Sequence, residues 1–401
     1  MNHKKTLLLV TWFNPNANYV ASLRWKNFVH YLSESYDIYL FTTVLNNNMA
    51  NIANVKKVYY SRTVIGSQLT PSSNNGLIRR LYKWMKSPLV WLRSIGVCWY
   101  TWYFKNRSNF LNVYKEVNPD YLITSIGPFS TALFGYAIKK KNPSVKWMVD
   151  IRDSVSLNNV EHKPLWAKYM DALIDKQIIK KADSVITVGY ELSKILGSFY
   201  GKEVHTVYNS FNSNKAPHVK NMNHQIYYAG KIYPHQIPAL KLMFSVLKEN
   251  KTLNLKIRLI GTREGAIFLE KLIFENNIVS QVSLLPPTDH ETVKKEEFES
   301  SILLVLEDLN KQSSISKGTI TGKLFELLPC PSPILAIARG DSEIGDILTK
   351  TSRGQLCDNL ADIESFFQNA QAYECHAFDD IKEFSSKTQA KKVDMLLKSM
   401  P

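Results

Sequence analysis

Apolar residues in this chain fall into short runs closed by turn residues or charges, and between the runs the apolar spacing lengthens to three and four. Leu7–Thr11, Ile38–Thr42, Tyr121–Ser125, Lys146–Asp150 and Ser184–Val188 read as buried strands, while Leu23–Leu32 and Thr131–Lys140 carry the spacing of amphipathic helices. Strand and helix in alternation predict a parallel, doubly wound sheet. Past a polar stretch at Asn209–Asn223 the alternation restarts with Gln225–Ala229, Lys256–Gly261, Val282–Leu285, Ile302–Glu307 and Ile334–Ala338. A second sheet is expected there. Asn212–Asn223, rich in Asn, Lys and Ser with one Pro, reads as the interdomain linker, its alternative being an ordinary surface loop. The last periodic segment, Ile381–Leu397, follows the final strand and predicts a helix laid on existing surface. The expected domains are 1–215, 216–375 and a terminal helix within 376–401.

Length agrees with two cores: 401 residues, 45% of them apolar, exceed what one core usually supports. A net charge of +15 calls for an anionic partner, which nucleic acid, a membrane face or a phosphorylated substrate each supplies. The four cysteines, Cys98, Cys330, Cys357 and Cys375, show no CxxC spacing, which argues against a disulfide framework or a zinc site and for a reducing compartment. The basic opening followed by Thr6–Phe13 has the outline of a secretory leader, but no small-residue cleavage site follows. A buried first strand accounts for Leu7–Val10 equally well. No uncharged apolar run reaches the roughly 18–20 residues of a membrane span.

Candidate chemistry begins at Gly318-Thr319-Ile320-Thr321-Gly322-Lys323-Leu324-Phe325-Glu326, expected to follow a strand and open a helix. Backbone N–H groups at such a start suit a diphosphate; Lys323 adds a point charge, Thr321 a hydroxyl, and Glu326, a turn on, a carboxylate for ribose hydroxyls. The alternative is that Lys323 and Glu326 merely solvate a helix start. With three residues between Gly318 and Gly322, and Leu324 where Ser or Thr would ligate magnesium, this is no Walker A loop. The chain contains no GxG, so a dinucleotide cradle is missing too. Gly230-Lys231 follows the first strand of the second domain, where Lys231 is placed to meet a leaving phosphate.

In the first domain, Asp150-Ile151-Arg152-Asp153 closes a strand, so Asp150 or Asp153 is a candidate to orient or deprotonate an acceptor hydroxyl. The competing reading is a structural carboxylate–arginine pair. Ser125-Ile126-Gly127 ends another strand and offers N–H groups to the same crevice. There is no DxD, HxH or HExxH spacing, so neither a metal nor another cofactor is expected. Arg79–Arg107 holds seven basic residues, eight aromatics and no acid, which suits docking on an anionic inner-membrane surface. Aromatics facing the core are the alternative. A nucleic-acid partner is not expected, since no RNA-binding motif accompanies the segment.

Taken in order, these pieces resemble a GT-B glycosyltransferase of the glycosyltransferase family 4 type, found in bacterial capsule, O-antigen and exopolysaccharide synthesis. The resemblance covers nearly the whole chain. It rests on Ala21-Ser22-Leu23-Arg24-Trp25, Ser125–Ser130, Asp150–Asp153, Val207–Phe211 and Tyr228-Ala229-Gly230-Lys231. Most specific is Gly322-Lys323-Leu324-Phe325-Glu326-Leu327-Leu328 leading into Pro333-Ile334-Leu335-Ala336. It implies two Rossmann-like domains facing across a cleft, with the C-terminal helix crossing back to the first. The second domain would hold a UDP- or GDP-linked sugar through Gly230, Lys231, Thr321, Gly322, Lys323, Leu324 and Glu326. Lys231 would neutralise the departing diphosphate. Arg24, Ser125, Gly127 and Arg152 would stand on the side of a glycan or polyprenyl-linked acceptor, with Asp150 and Asp153 as catalytic candidates. Transfer would be retaining and metal-independent, in the cytoplasm or at the inner face of the membrane.

Two departures from the family pattern stand out: Gly318 occupies the position of a sugar-contacting acid, and only Lys231 represents the usual pair of cations after Gly230. The alternatives are a sugar-nucleotide epimerase on the same fold and a non-catalytic scaffold of a polysaccharide assembly complex.

Overall fold

Thirteen strands, all paired in parallel, make two sheets among the described residues. The computed structural model describes residues 4–15, 20–44, 52–61, 97–127, 129–152, 157, 165–212, 225–370, 373 and 378–401. The chain divides into two compact units, residues 1–208 with 390–401 and residues 209–389.

The first sheet runs in the order β3-β2-β1-β4-β5-β6-β7, with β1 Lys5–Thr11, β2 Tyr36–Thr43, β3 Lys57–Ser61, β4 Tyr121–Ile126, β5 Lys146–Ile151, β6 Ser184–Thr187 and β7 His205–Thr206. Its central strands are buried along nearly their full length, and helices on both faces complete the cover. One face carries Trp102, Phe110, Phe134 and Trp147; the other carries Trp25, Phe28, Tyr121 and Met148. Gly135 is required by the close approach of the Trp147 indole, since a Cβ there would lie 2.1 Å from Nε1. The indole N–H donates to the Thr124 hydroxyl at 2.9 Å.

The second sheet has the order β10-β9-β8-β11-β12-β13, with β8 Gln225–Gly230, β9 Asn254–Leu259, β10 Val282–Leu285, β11 Ile302–Leu306, β12 Ile334–Ile337 and β13 Gly354–Cys357. In each sheet the strand order reverses once, between β1 and β4 and between β8 and β11. Open α/β sheets take ligands outside the carboxyl ends of the strands at such a reversal.

The terminal helix Ser386–Ser399 starts in the second unit, and from Ala390 onward its residues belong to the first. Val393, Leu397 and Met400 enter the core beside Leu7, Leu9 and Trp25. The Tyr36 hydroxyl donates to Asp394 at 2.7 Å, and Lys146 donates to the Met400 carbonyl at 2.9 Å. The division between units falls at Tyr208 and Asn209 rather than at 215, and residues 378–389 stay with the second unit rather than with the terminal helix. The reason is local: the N–H and hydroxyl of Ser386 both donate to the Phe211 carbonyl, at 2.9 and 2.7 Å. The expected linker lies almost wholly outside the described residues. No helix among those described is long and apolar enough to cross a membrane.

Candidate functional site

In the first unit, the sequence candidates at the carboxyl edge converge on one carboxylate. Asp150, fully buried at the end of β5, accepts from Arg24 Nη2 at 3.0 Å and Nε at 3.2 Å, from Trp25 Nε1 at 2.9 Å and from the Ser125 hydroxyl at 2.8 Å. Arg24 and Trp25 come from the helix Val20–Leu32, and Ser125 ends β4. Arg24 also donates to the Tyr208 carbonyl at 3.0 Å. With both oxygens taken by donors and no exposure, Asp150 is an anchor and not an open base. The carboxylate–arginine pair exists, but Arg24 rather than the neighbouring Arg152 completes it.

Arg152 and Gly127 each border Phe13 instead. The guanidinium lies 5.8 Å from the Phe13 ring centroid, and a Cβ on Gly127 would lie 2.9 Å from the same ring. Asp153 lies outside the described residues. So does the basic and aromatic segment as far as Gly96. Beyond it, within the helix Val97–Val117, Trp102 is a core residue whose Nε1 donates to Ser61 at 2.8 Å, while Phe104 is 62% exposed.

In the second unit β8 ends on Gly230 with φ of 151°, a conformation that strains any L side chain. Tyr228 points its hydroxyl at the Lys231 carbonyl, 2.6 Å away. The following turn is tied to the neighbouring strand: Gln236 accepts from the Tyr233 N–H at 3.0 Å and donates to the Leu306 carbonyl at 2.8 Å. Beside that carbonyl stands Glu307, 6% exposed. Burial, reinforced by the nearby Asp308 and only partly opposed by Gln236, pushes its carboxyl up to about 8.

The glycine loop does not follow β11 directly. A loop and a short helix, Ser314–Gly318, intervene, because Arg339 gathers that loop. Its guanidinium donates to the Asn310 and Lys311 carbonyls at 3.2 and 3.1 Å, to the Ser316 hydroxyl at 2.9 Å and to the Ser313 carbonyl. The helix Gly322–Leu327 then begins after Thr321, whose hydroxyl makes no capping bond.

Lys323 and Glu326 on that helix join a row of alternating charges supplied by the helix His290–Glu299. Lys323 Nζ lies 3.7 Å from Glu297, Lys294 Nζ lies 3.0 Å from Glu297 and 3.6 Å from Glu326, and His290 Nε2 lies 3.6 Å from Glu326. The Lys323 ammonium also sits 5.6 Å from the centroid of the Tyr228 ring. Burial lowers the Lys323 pKa against the pull of Glu297 and Glu326. For Glu326 burial acts upward, but His290, Lys294 and Lys323 hold it below the usual carboxylate value. The side chains of Lys323 and Glu326 keep 19% and 17% of their surface exposed, so each still meets solvent. A compact cation beside a carboxylate acceptor can grip a phosphate and a pair of hydroxyls on one ligand.

No protein-family model matches the chain, and no curated protein matches it. Solved structures do. Sucrose-phosphate synthase from Thermosynechococcus elongatus is similar at TM-score 0.70 and 12% identity, over 98% of each chain. Anabaena HepE in complex with UDP and glucose is similar at TM-score 0.66 and 11% identity, over 98% of this chain and 100% of that one. A putative UDP-N-acetylglucosamine 2-epimerase from Listeria monocytogenes is similar at TM-score 0.55 and 10% identity, over 99% and 96%. The fold is GT-B.

Within this GT-B chain, the second unit brings Gly230, Lys231, Thr321, Gly322, Lys323 and Glu326 to the carboxyl side of its sheet, while Leu324 is fully buried beneath them. Sequence reasoning missed His290, Lys294 and Glu297, which lie about thirty positions upstream of Glu326, and passed over Glu307 as a strand end. Only Glu307 left a signal: a carboxylate closing an otherwise apolar strand.

Proposed function

We propose that the protein is a glycosyltransferase that binds a nucleotide-diphosphate sugar in its second unit and transfers the sugar to a glycan or polyprenyl-linked acceptor. One observation carries this reading: Lys323 and Glu326, on one helix beside the β8–β11 reversal, belong to a shared charge row and keep an exposed edge each. The spacing fits a diphosphate at Lys323 and a ribose at Glu326. HepE, of the same fold, has a crystal structure in complex with UDP and glucose, which makes UDP the first donor nucleotide to try and GDP the second.

Transfer on this reading is retaining and metal-independent. Lys323 and Lys231 supply the positive charge that stabilises the departing diphosphate, so catalysis consists mostly of positioning and charge stabilisation. The acceptor belongs to bacterial surface glycan synthesis, and the enzyme works in the cytoplasm, peripheral to the inner membrane through Arg79–Arg107. Flotation with anionic vesicles, lost at high salt and absent with neutral vesicles, tests that last placement.

The donor site is tested by thermal shift against UDP, GDP, CDP, ADP and TDP. Ligand at a hundred times its dissociation constant adds about 2.7 kcal/mol, a visible shift. Stabilisation by none of the five rejects the reading. Binding followed by isomerisation of the sugar nucleotide without an acceptor assigns the chain to the epimerases, and binding without any turnover to a scaffold.

A further inference from the structure

The two side chains assigned to the donor sit on a helix of only 6 residues, Gly322–Leu327, too short to hold its own geometry. Support comes from the neighbouring helix His290–Glu299, and above all from Lys294. Its ammonium donates to the Glu326 carbonyl at 3.2 Å, one of the end carbonyls that a short helix leaves without an internal partner. The same Nζ lies 3.0 Å from Glu297 Oε2 and 3.6 Å from Glu326 Oε2. Lys294 is thereby spent within the protein. Lys323 is not: among the described residues its ammonium makes no hydrogen bond, and its nearest carboxylate oxygen is Glu297 Oε1 at 3.7 Å.

Glu297 is 1% exposed, too deep to meet a ligand, and it stands between the two lysines. A buried carboxylate needs a close cation. Lys294 fills that need at 3.0 Å, so Lys323 is not drawn in and keeps its donors for a phosphate. We propose that Lys294 is a positioning residue of the donor site: by occupying Glu297 it leaves Lys323 to the diphosphate, and by holding Glu326 it aims that carboxylate at the ribose. This rests on the donor-site reading. Lys294 acts through its two partners and does not touch the ligand. Without it, Lys323 is the cation left beside Glu297 and closes onto it, while Glu326 loses the tether on its carbonyl and its carboxylate together.

The test is calorimetric titration of the full chain with UDP, UMP and 2′-deoxy-UDP, on the wild type, Lys294→Met, Glu297→Gln and the variant carrying both changes. UDP is replaced by whichever diphosphate the thermal screen selects, with its monophosphate and deoxy forms. Lys294→Met lowers the preference for UDP over UMP, and that for UDP over 2′-deoxy-UDP, by about tenfold each, the lower end of a charge-assisted hydrogen bond. Glu297→Gln alone leaves the UDP-over-UMP preference unchanged, because Lys323 is already free. Added to Lys294→Met it restores that preference, since nothing then captures Lys323, while the ribose preference stays lost. A purely electrostatic part for Lys294 makes Glu297→Gln raise the UDP-over-UMP preference equally in both backgrounds, and a purely structural part weakens all three ligands together. Either result overturns the proposal while leaving the donor site standing. The doubly changed variant removes the buried pair as a unit, so a folding failure of Lys294→Met does not remove the test. By itself it keeps the phosphate preference and loses the ribose preference; a retained ribose preference overturns the proposal. If the wild type binds no nucleoside diphosphate at all, the donor site falls and this inference with it.

Discussion

The guanidinium of Arg24 straddles the carboxylate of Asp150, Nη2 3.0 Å from Oδ1 and Nε 3.2 Å from Oδ2, with both side chains out of contact with water. The two residues stand 126 positions apart and belong to a helix and a strand that the pair locks together. Cutting one partner leaves an unpaired charge in the core.

Asp150→Ala is therefore expected to destabilise the first unit by about 3–5 kcal/mol, measured by denaturant unfolding, whereas replacing both partners with apolar residues costs much less. A loss under about 1 kcal/mol for the single change contradicts the anchoring role and returns Asp150 to the list of reacting groups.

Lys323→Ala and Glu326→Ala are each expected to abolish most of the nucleotide-induced rise in melting temperature. The two differ in kind. Losing the ammonium removes discrimination between a diphosphate and a nucleoside, while losing the carboxylate removes discrimination between ribose and deoxyribose. Competition binding with those four ligands separates them, and equal behaviour of the two variants argues against the assigned roles.

Gly230→Ala is expected to cost about 1–3 kcal/mol, because φ of 151° is nearly closed to alanine and the new Cβ meets the Tyr228 hydroxyl at 3.4 Å. Since Tyr228 holds the Lys231 carbonyl, nucleotide affinity falls with stability. Thermal melts with and without nucleotide read both effects.

Stability is expected to fall as pH rises from about 5 to 8. Glu307 goes from the usual 4.5 to about 8 on folding, so the folded state holds a proton that the unfolded chain has released across that interval. The penalty begins above the unfolded value and is complete above the folded one. At about 1.4 kcal/mol per pH unit it reaches a few kcal/mol at most. Glu307→Gln flattens this part of the profile, and a variant as pH-sensitive as the wild type contradicts the assignment.

Leu7–Val10, Ile302–Leu306 and Ile334–Ile337 were legible in the sequence because parallel strands buried on both faces are apolar at every position, a property of neighbouring residues alone. The short edge strands His205–Thr206 and Gly354–Cys357 were not, since two to four residues without an apolar run carry no period. The same limit governs the sites. Lys323 and Glu326 could be paired from a one-turn spacing on one helix. Glu297 and Lys294 meet them only because the crossover from β10 to β11 lays its helix alongside, and Asp150 is an anchor only because β1 is followed by a helix that lowers Arg24 and Trp25 onto it. Periodicity and turn chemistry are local, so they decide which segments are strands or helices and which ends hold charge. Whether a charge is paired, neutral or open to a ligand depends on partners that the order of strands in each sheet brings together.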